Sequence, residues 1–242
     1  MNMNTSGRLL VSVLIAVVLK SFPGSGQISA QTGEYGIIEE IDVRVPMRDG
    51  VRLSTNIYRP GAPGQYPVLL MRSPYGNGGS GNKTAIRAAG RGYAVVLQDT
   101  RGRYESEGVF DAMQPEALDG YDTQQWIGAQ SWCNGKIGTT GESALAMVQM
   151  LMAPVTHDVA AQYIYLTPAN FYFEVVYPGG VFRKNLVEGW LTLLGQYDVS
   201  AVYRGHPVYD DFWSHYNVVA RAKDITAPAV FMGGWYDIFQ PG

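Results

Sequence analysis

The side chain with the clearest chemical promise is Ser143, in the run Gly141-Glu142-Ser143-Ala144-Leu145. A serine hydroxyl is a weak nucleophile until its surroundings expose it, take its proton and stabilise the oxyanion that forms on attack. Lys136 to Thr140 before it reads as a strand, and Ala144 to Met152 after it reads as a strongly apolar helix. A serine at a sharp strand-to-helix turn is the setting of a nucleophile elbow. Its hydroxyl projects above the sheet, and the Ala144 N–H at the helix N-terminus faces the developing charge. The Gly-x-Ser-x-Gly pattern is incomplete, because Leu145 holds the second glycine position. The same letters also suit a serine that merely caps the helix beginning at Ala144, and the pattern alone leaves both readings open.

Other chemistries find less support. Cys133 is the single cysteine, so it has no internal disulfide partner. Lying between Trp132 and Asn134 in what reads as a loop, it is expected to be a small buried thiol rather than a nucleophile. No Cys/His cluster has metal-ligand spacing, and no metal or organic cofactor is implied. With 18 basic against 21 acidic residues and no basic block, the chain lacks the electrostatic footprint of a nucleic-acid binder. Residues 1–30 read as a signal peptide: Arg8, an apolar run from Leu9 to Leu19, and Ile28-Ser29-Ala30 as a cleavage site. Lys20 and Pro23-Gly24 interrupt the run before it reaches the ~20 residues that span a bilayer. A secreted or periplasmic protein without a stable membrane anchor is expected.

The elements that must position Ser143 follow from periodicity. Ile37 to Pro46 and Val51 to Tyr58 alternate as strands around an Arg48-Asp49-Gly50 turn. Tyr66 to Met71 and Tyr93 to Gln98 are short apolar runs suited to strands buried on both faces, with Lys83 to Arg91 as a crossover helix. Asp119 to Ile127 has helical spacing, and Val159 to Leu166 and Pro228 to Gly233 read as further strands. This alternation implies an α/β fold with a mainly parallel sheet covered on both sides. Thr167 to Lys223 breaks the rhythm. It is helix-compatible and rich in aromatics (Phe171, Tyr172, Tyr177, Trp190, Tyr203 and Trp213 among them), and reads as an inserted cap, although any one of these rings suits an ordinary core equally well. The expected division is therefore 1–30 signal peptide, 31–166 first part of the core, 167–223 cap and 224–242 a return to the core.

Several segments, in order, resemble the family that contains cocaine esterase, α-amino acid ester hydrolases and X-Pro dipeptidyl-peptidases. They are Met71-Arg72-Ser73-Pro74-Tyr75, Gln98-Asp99-Thr100-Arg101-Gly102-Arg103 with Ser106-Glu107-Gly108, Trp132 to Gly138, and Gly234-Trp235-Tyr236-Asp237. The resemblance implies an α/β-hydrolase core and makes Ser143 the nucleophile. It implies that Tyr75 donates into the oxyanion hole beside the Ala144 N–H, and that Asp237 orients a histidine; without it, Asp237 reads as an acid capping the turn after a strand. Trp235 and Tyr236 are expected to line the acyl pocket, and Asp99 and Arg101 to form a structural ion-pair loop. Two departures stand out: Ala144 replaces a common tyrosine, and Ala146 a common glycine, so a small displacement of the elbow is expected.

The triad order in this fold is Ser, then Asp or Glu, then His. His157, His206 and His215 all precede Asp237, so the catalytic histidine is expected to be missing from these residues and the chain to be truncated. The resemblance also implies further core elements and a C-terminal β-sandwich beyond Asp237, so apolar surface on the last strand and the cap is expected to be exposed. The activity expected of the complete form is hydrolysis of a small ester, amide or short peptide, impaired in this chain. An X-Pro dipeptidyl-peptidase, which needs an acidic site for a free amine, and a non-catalytic interaction module are the alternatives.

Overall fold

The computed structural model describes residues 36–239, so the expected signal peptide lies outside the described residues. The described chain forms a seven-stranded sheet in the order β1-β2-β4-β3-β5-β6-β7. β1 (Ile37–Pro46) and β2 (Arg52–Pro60) make an antiparallel hairpin. Its turn closes through Met47 N to Val51 O (2.8 Å) and Gly50 N to Met47 O (2.9 Å), with Gly50 at φ 87°, a conformation that favours glycine. β2 runs antiparallel to β4 (Ala94–Asp99), and from there across β3 (Tyr66–Ser73), β5 (Cys133–Glu142), β6 (Val159–Tyr165) and β7 (Ala229–Met232) every pairing is parallel.

The crossovers are helical. α1 (Lys83–Ala89) links β3 to β4 and is capped by Asn82, whose Oδ1 accepts from Thr84 N and Ala85 N, each at 3.1 Å. α2 (Glu116–Gly128) carries the chain from β4 to β5, and α3 (Ala144–Met152) from β5 to β6. All six residues of β4 are buried, as is every residue of α3, because each is covered on all sides. The chain runs from β3 to β4 on one side, then returns to β5 on the other side of β3. The carboxyl ends of β3 and β5 therefore form a topological switch point, where open α/β sheets bind ligands.

Between β6 and β7 lies the aromatic segment, built from a π-helical turn (Tyr172–Val176), α4 (Lys184–Leu193), α5 (Val199–Gly205), α6 (Asp211–Ser214) and a 3₁₀ turn (Val219–Asp224). Phe171, Tyr172, Tyr177, Tyr203, Trp213 and Tyr216 are buried in one cluster, whereas Phe173 and Tyr197 are exposed. The rings meet edge-on or tilted, as Phe171 and Tyr203 do at 5.7 Å. Such pairs contribute roughly 0.5–1.5 kcal/mol each beyond area burial. The Tyr203 and Tyr216 hydroxyls both donate to the Ala112 carbonyl, tying this segment to the loop before α2.

At the far edge of the sheet, all four residues of β7 are exposed, as are Trp235, Tyr236 and Ile238 beyond it. No described helix is long and apolar enough to cross a membrane. Cys133 is buried as expected, but it opens β5 rather than lying in a loop. Tyr66 on β3 pairs with it, drawing Cys133 to Gly135 into the strand through an irregular register.

Candidate active site

Ser143 joins β5 to α3 with φ 55° and ψ −123°. For a residue with a side chain this is a sparsely populated conformation that costs about 1–3 kcal/mol and persists only where neighbours enforce it. Here the Ser143 N–H donates to Tyr165 O at the end of β6 (3.0 Å), and its carbonyl accepts from Met147 N in the first turn of α3 (2.9 Å). Gly141 permits the tight turn. A Cβ there would lie 2.6 Å from the Leu145 carbonyl carbon and oxygen. The Ser143 side chain makes no capping bond to α3, so the helix-cap reading fails. The Ala144 N–H lies in the first turn, where helix amides have no intrahelical partner. Ala146 is wholly buried under the aromatic cluster while Ser143 keeps its left-handed φ.

Tyr75 follows β3 across the switch point. Its backbone is held by Tyr75 N to Ser73 Oγ (3.0 Å), and the Arg103 guanidinium grips the neighbouring Pro74 carbonyl (Nε to O, 3.0 Å). The Tyr75 hydroxyl lies within hydrogen-bonding reach of the Ser143 side chain and accepts a bond from the Trp190 indole on α4 (2.8 Å). Burial raises its pKa, offset in part by those two bonds and by the charge of Arg103. The phenol is therefore a neutral donor at ordinary pH.

Asp237 closes a turn after β7 (Asp237 N to Gly234 O, 3.0 Å), and its Oδ1 accepts from Phe239 N (2.8 Å). The capping role foreseen for this acid is thus present. Among the described residues, Oδ2 has no hydrogen-bond partner. The Asp237 charge acts on Glu142, whose pKa is raised first by desolvation and then by that charge. A cleft at the carboxyl ends of β6 and β7 is walled by Ile164, Leu166, Phe231, Met232, Trp235 and Asp237; neither Ser143 nor Tyr75 lines it. Trp235 stands on its rim at 88% exposure. Tyr236, at 101%, does not line the cleft, because the Gly234–Asp237 turn directs its ring to solvent.

The ion-pair loop also needs correction. Arg101 does not pair with Asp99; it forms a fork on Asp119 of α2 (Nε to Oδ2 2.9 Å, NH2 to Oδ1 2.6 Å) and reaches Asp49 in the β1–β2 turn (2.7 Å). Asp99 is buried, and among the described residues its Oδ1 has no hydrogen-bond partner. Desolvation pushes its carboxyl up to about 7. Arg72 joins Arg101 around α2 through Glu116 (2.9 Å).

The histidines stand elsewhere. His157 and His215 are exposed, and His206 pairs with Asp210 (2.6 Å) and stacks on Phe212 (4.2 Å between ring centres). Among the described residues, no histidine is hydrogen-bonded to Ser143 or Asp237, and no group of three or more His, Cys, Asp or Glu side chains could hold a metal ion. Sequence reasoning missed the Trp190 and Arg103 contacts. Trp190 was legible only as one aromatic of the cap, since its partner lies 115 positions away.

Comparison with known proteins agrees with this architecture. The cocaine esterase of Rhodococcus sp. (strain MB1 Bresler) is 30% identical over an alignment covering 86% of this chain and 45% of that protein. A CocE/NonD family hydrolase from Staphylococcus aureus superposes with a TM-score of 0.71 at 26% identity, covering 82% of this chain and 44% of the other. An α-amino acid ester hydrolase, at 20% identity and a TM-score of 0.68, shares the fold. The chain thus spans less than half the length of these relatives. Residues 49–204 match the X-Pro dipeptidyl-peptidase (S15) family, so this chain belongs to that family of α/β-hydrolases.

Proposed function

We propose that the protein hydrolyses small ester or amide bonds by attack of the Ser143 hydroxyl on the acyl carbonyl. The observation that carries this reading is the uncapped serine at φ 55° and ψ −123°, with the Tyr75 phenol within hydrogen-bonding reach. Attack places negative charge on the former carbonyl oxygen, and the Tyr75 O–H and Ala144 N–H are the donors that receive it. Removing one such donor typically costs about 10²–10³ in rate. Asp237, whose Oδ2 has no hydrogen-bond partner among the described residues, takes the place of the acid that would orient a histidine. His157, His206 and His215 do not act as the base from where they stand, so Ser143 in these 242 residues alone is weakly activated and turnover is slow. Export after cleavage near Ala30 goes with this reading, and N-terminal sequencing of the mature protein tests it.

The chemical test is covalent labelling with a fluorophosphonate, read by intact mass and peptide mapping, beside hydrolysis of p-nitrophenyl butyrate. Slow single labelling at Ser143, lost in Ser143→Ala and unchanged in His157→Ala, His206→Ala and His215→Ala, is expected. Label on another residue would refute the nucleophile, and fast turnover would refute the weak activation. An Xaa-Pro p-nitroanilide cleaved in preference to the ester would move the reading to the peptidase.

A further inference from the structure

The Trp190–Tyr75 hydrogen bond joins two separately fixed parts of the molecule. On the cap side, α4 buries Val187 and Leu191 against the aromatic cluster, and Glu188 is tied to Arg204 of α5 (2.5 Å). Trp190 therefore projects from a helix fixed by its neighbours. On the core side, Tyr75 is fixed by Ser73 and, through Pro74, by Arg103. The two side chains meet at 2.8 Å, indole Nε1 to phenol oxygen.

The direction of that bond decides what Tyr75 can do. An indole N–H only donates, whereas a phenol carries one proton and accepting lone pairs. With its oxygen already receiving the indole proton, the phenol's own proton is left for a different acceptor. Besides Trp190, the side chain within its hydrogen-bonding reach is Ser143. A donor on the phenol oxygen also polarises the O–H, strengthening a chain of bonds by about 10–30% per link. Without Trp190, the hydroxyl rotor would be free to turn its proton away from the site.

We propose that Trp190 is a positioning residue for the oxyanion site: its indole N–H orients and polarises the Tyr75 hydroxyl so that the phenol donates towards the acyl oxygen held at Ser143. The cap thereby contributes a group to the chemistry as well as a wall. The inference rests on the Ser143 reading above.

Alkylboronic acids test it without needing turnover. The Ser143 oxygen forms a bond to trigonal boron, the serine proton passes to solvent, and the resulting tetrahedral boronate presents an oxygen to the oxyanion donors. Dissociation constants for methyl- and butylboronic acid are measured on wild type, Trp190→Phe, Tyr75→Phe, the double variant and Ser143→Ala. Trp190→Phe is expected to weaken both ligands equally, by about 3- to 10-fold, the loss of one hydrogen bond. The double variant is expected to match Tyr75→Phe within about twofold, because the indole acts only through the phenol. In Tyr75→Phe, which keeps Trp190 in place, the Trp190 indole ¹⁵N–¹H resonance is expected to shift on losing its acceptor. Unchanged binding in Trp190→Phe would overturn the inference. So would a loss confined to the butyl ligand, which marks a pocket wall, a loss additive with Tyr75→Phe, or an indole resonance indifferent to Tyr75. Wild-type binding that is absent, or that survives Ser143→Ala, would overturn the Ser143 reading and this inference with it. Ser143-dependent binding with Trp190→Phe unaffected would overturn this inference alone.

Discussion

Gly141→Ala probes the elbow most directly. The added methyl would meet the Leu145 carbonyl carbon and oxygen at 2.6 Å and the Leu145 Cβ at 2.8 Å, against ordinary contact from 3.4 Å. Two of the three obstacles are backbone, so no rotamer change relieves them. The end of β5 and the first turn of α3 must separate by the better part of an ångström. Forced overpacking of this kind costs about 1–3 kcal/mol, which for a chain of this size lowers Tm by roughly 2–12 °C. A comparable shift of a reacting group costs on the order of 100-fold in rate, so Ser143 labelling should fall more steeply than stability. Gly138→Ala, on the same strand, is the control: its methyl meets Ala161 O at 3.5 Å, an ordinary contact. It should stay within about 1 kcal/mol of wild type. Thermal unfolding followed by circular dichroism, with fluorophosphonate labelling rates, reads both effects. If Gly141→Ala melts and labels like Gly138→Ala, the close approach of β5 to α3 does not hold the nucleophile.

Three further outcomes follow from the same geometry. Ser143→Gly removes the strain of a side chain at φ 55° and should raise stability by about 1 kcal/mol, seen as a higher melting temperature together with complete loss of labelling. Asp119→Ala strips the fork from buried Arg101 and a neighbouring charge from Arg72, and should cost about 3–5 kcal/mol in urea unfolding. Asp99 carries a native pKa of about 7 against 3.8 when solvated, so the folded state holds the proton more tightly. The stability this gives is complete below pH 3.8 and is lost as pH rises to about 7. Asp99→Asn should therefore melt like wild type near pH 4 and increasingly above it between pH 4 and 7, the difference levelling off beyond; a difference independent of pH would refute the assignment.

What the sequence made legible is what local pattern encodes. The apolar runs of β3 and β4 and the strand-turn-helix around Ser143 announce themselves within ten residues or so, because burial on two faces permits few polar letters. Boundaries blur where local letters and tertiary pairing disagree. Cys133-Asn134-Gly135 reads as a turn, yet pairing with Tyr66 makes it strand; α2 starts at Glu116 because the preceding Pro115 suits a helix entrance, three residues before the apolar spacing becomes visible. The site is harder to read for the same reason. Tyr75 enters only through resemblance, and Trp190 on Tyr75 and Arg101 on Asp119 are products of chain topology that leave no trace in local spacing.

The incomplete Gly-x-Ser-x-Gly motif has a physical explanation of the same kind. The elbow requires close passage between positions 141 and 145: a Cβ on the first would meet the backbone of the second at 2.6 Å and its Cβ at 2.8 Å. Glycine is therefore needed at 141, and with no Cβ there residue 145 can carry a side chain. Leu145 does so: it is buried with Leu69, Met71, Ala85 and Ala88, helping to seat α3 on the sheet beside α1. The departure from the pattern thus exchanges a glycine for a core contact and leaves the geometry at Ser143 intact. The first glycine carries the steric requirement, and the second position is open to whatever the core can pack.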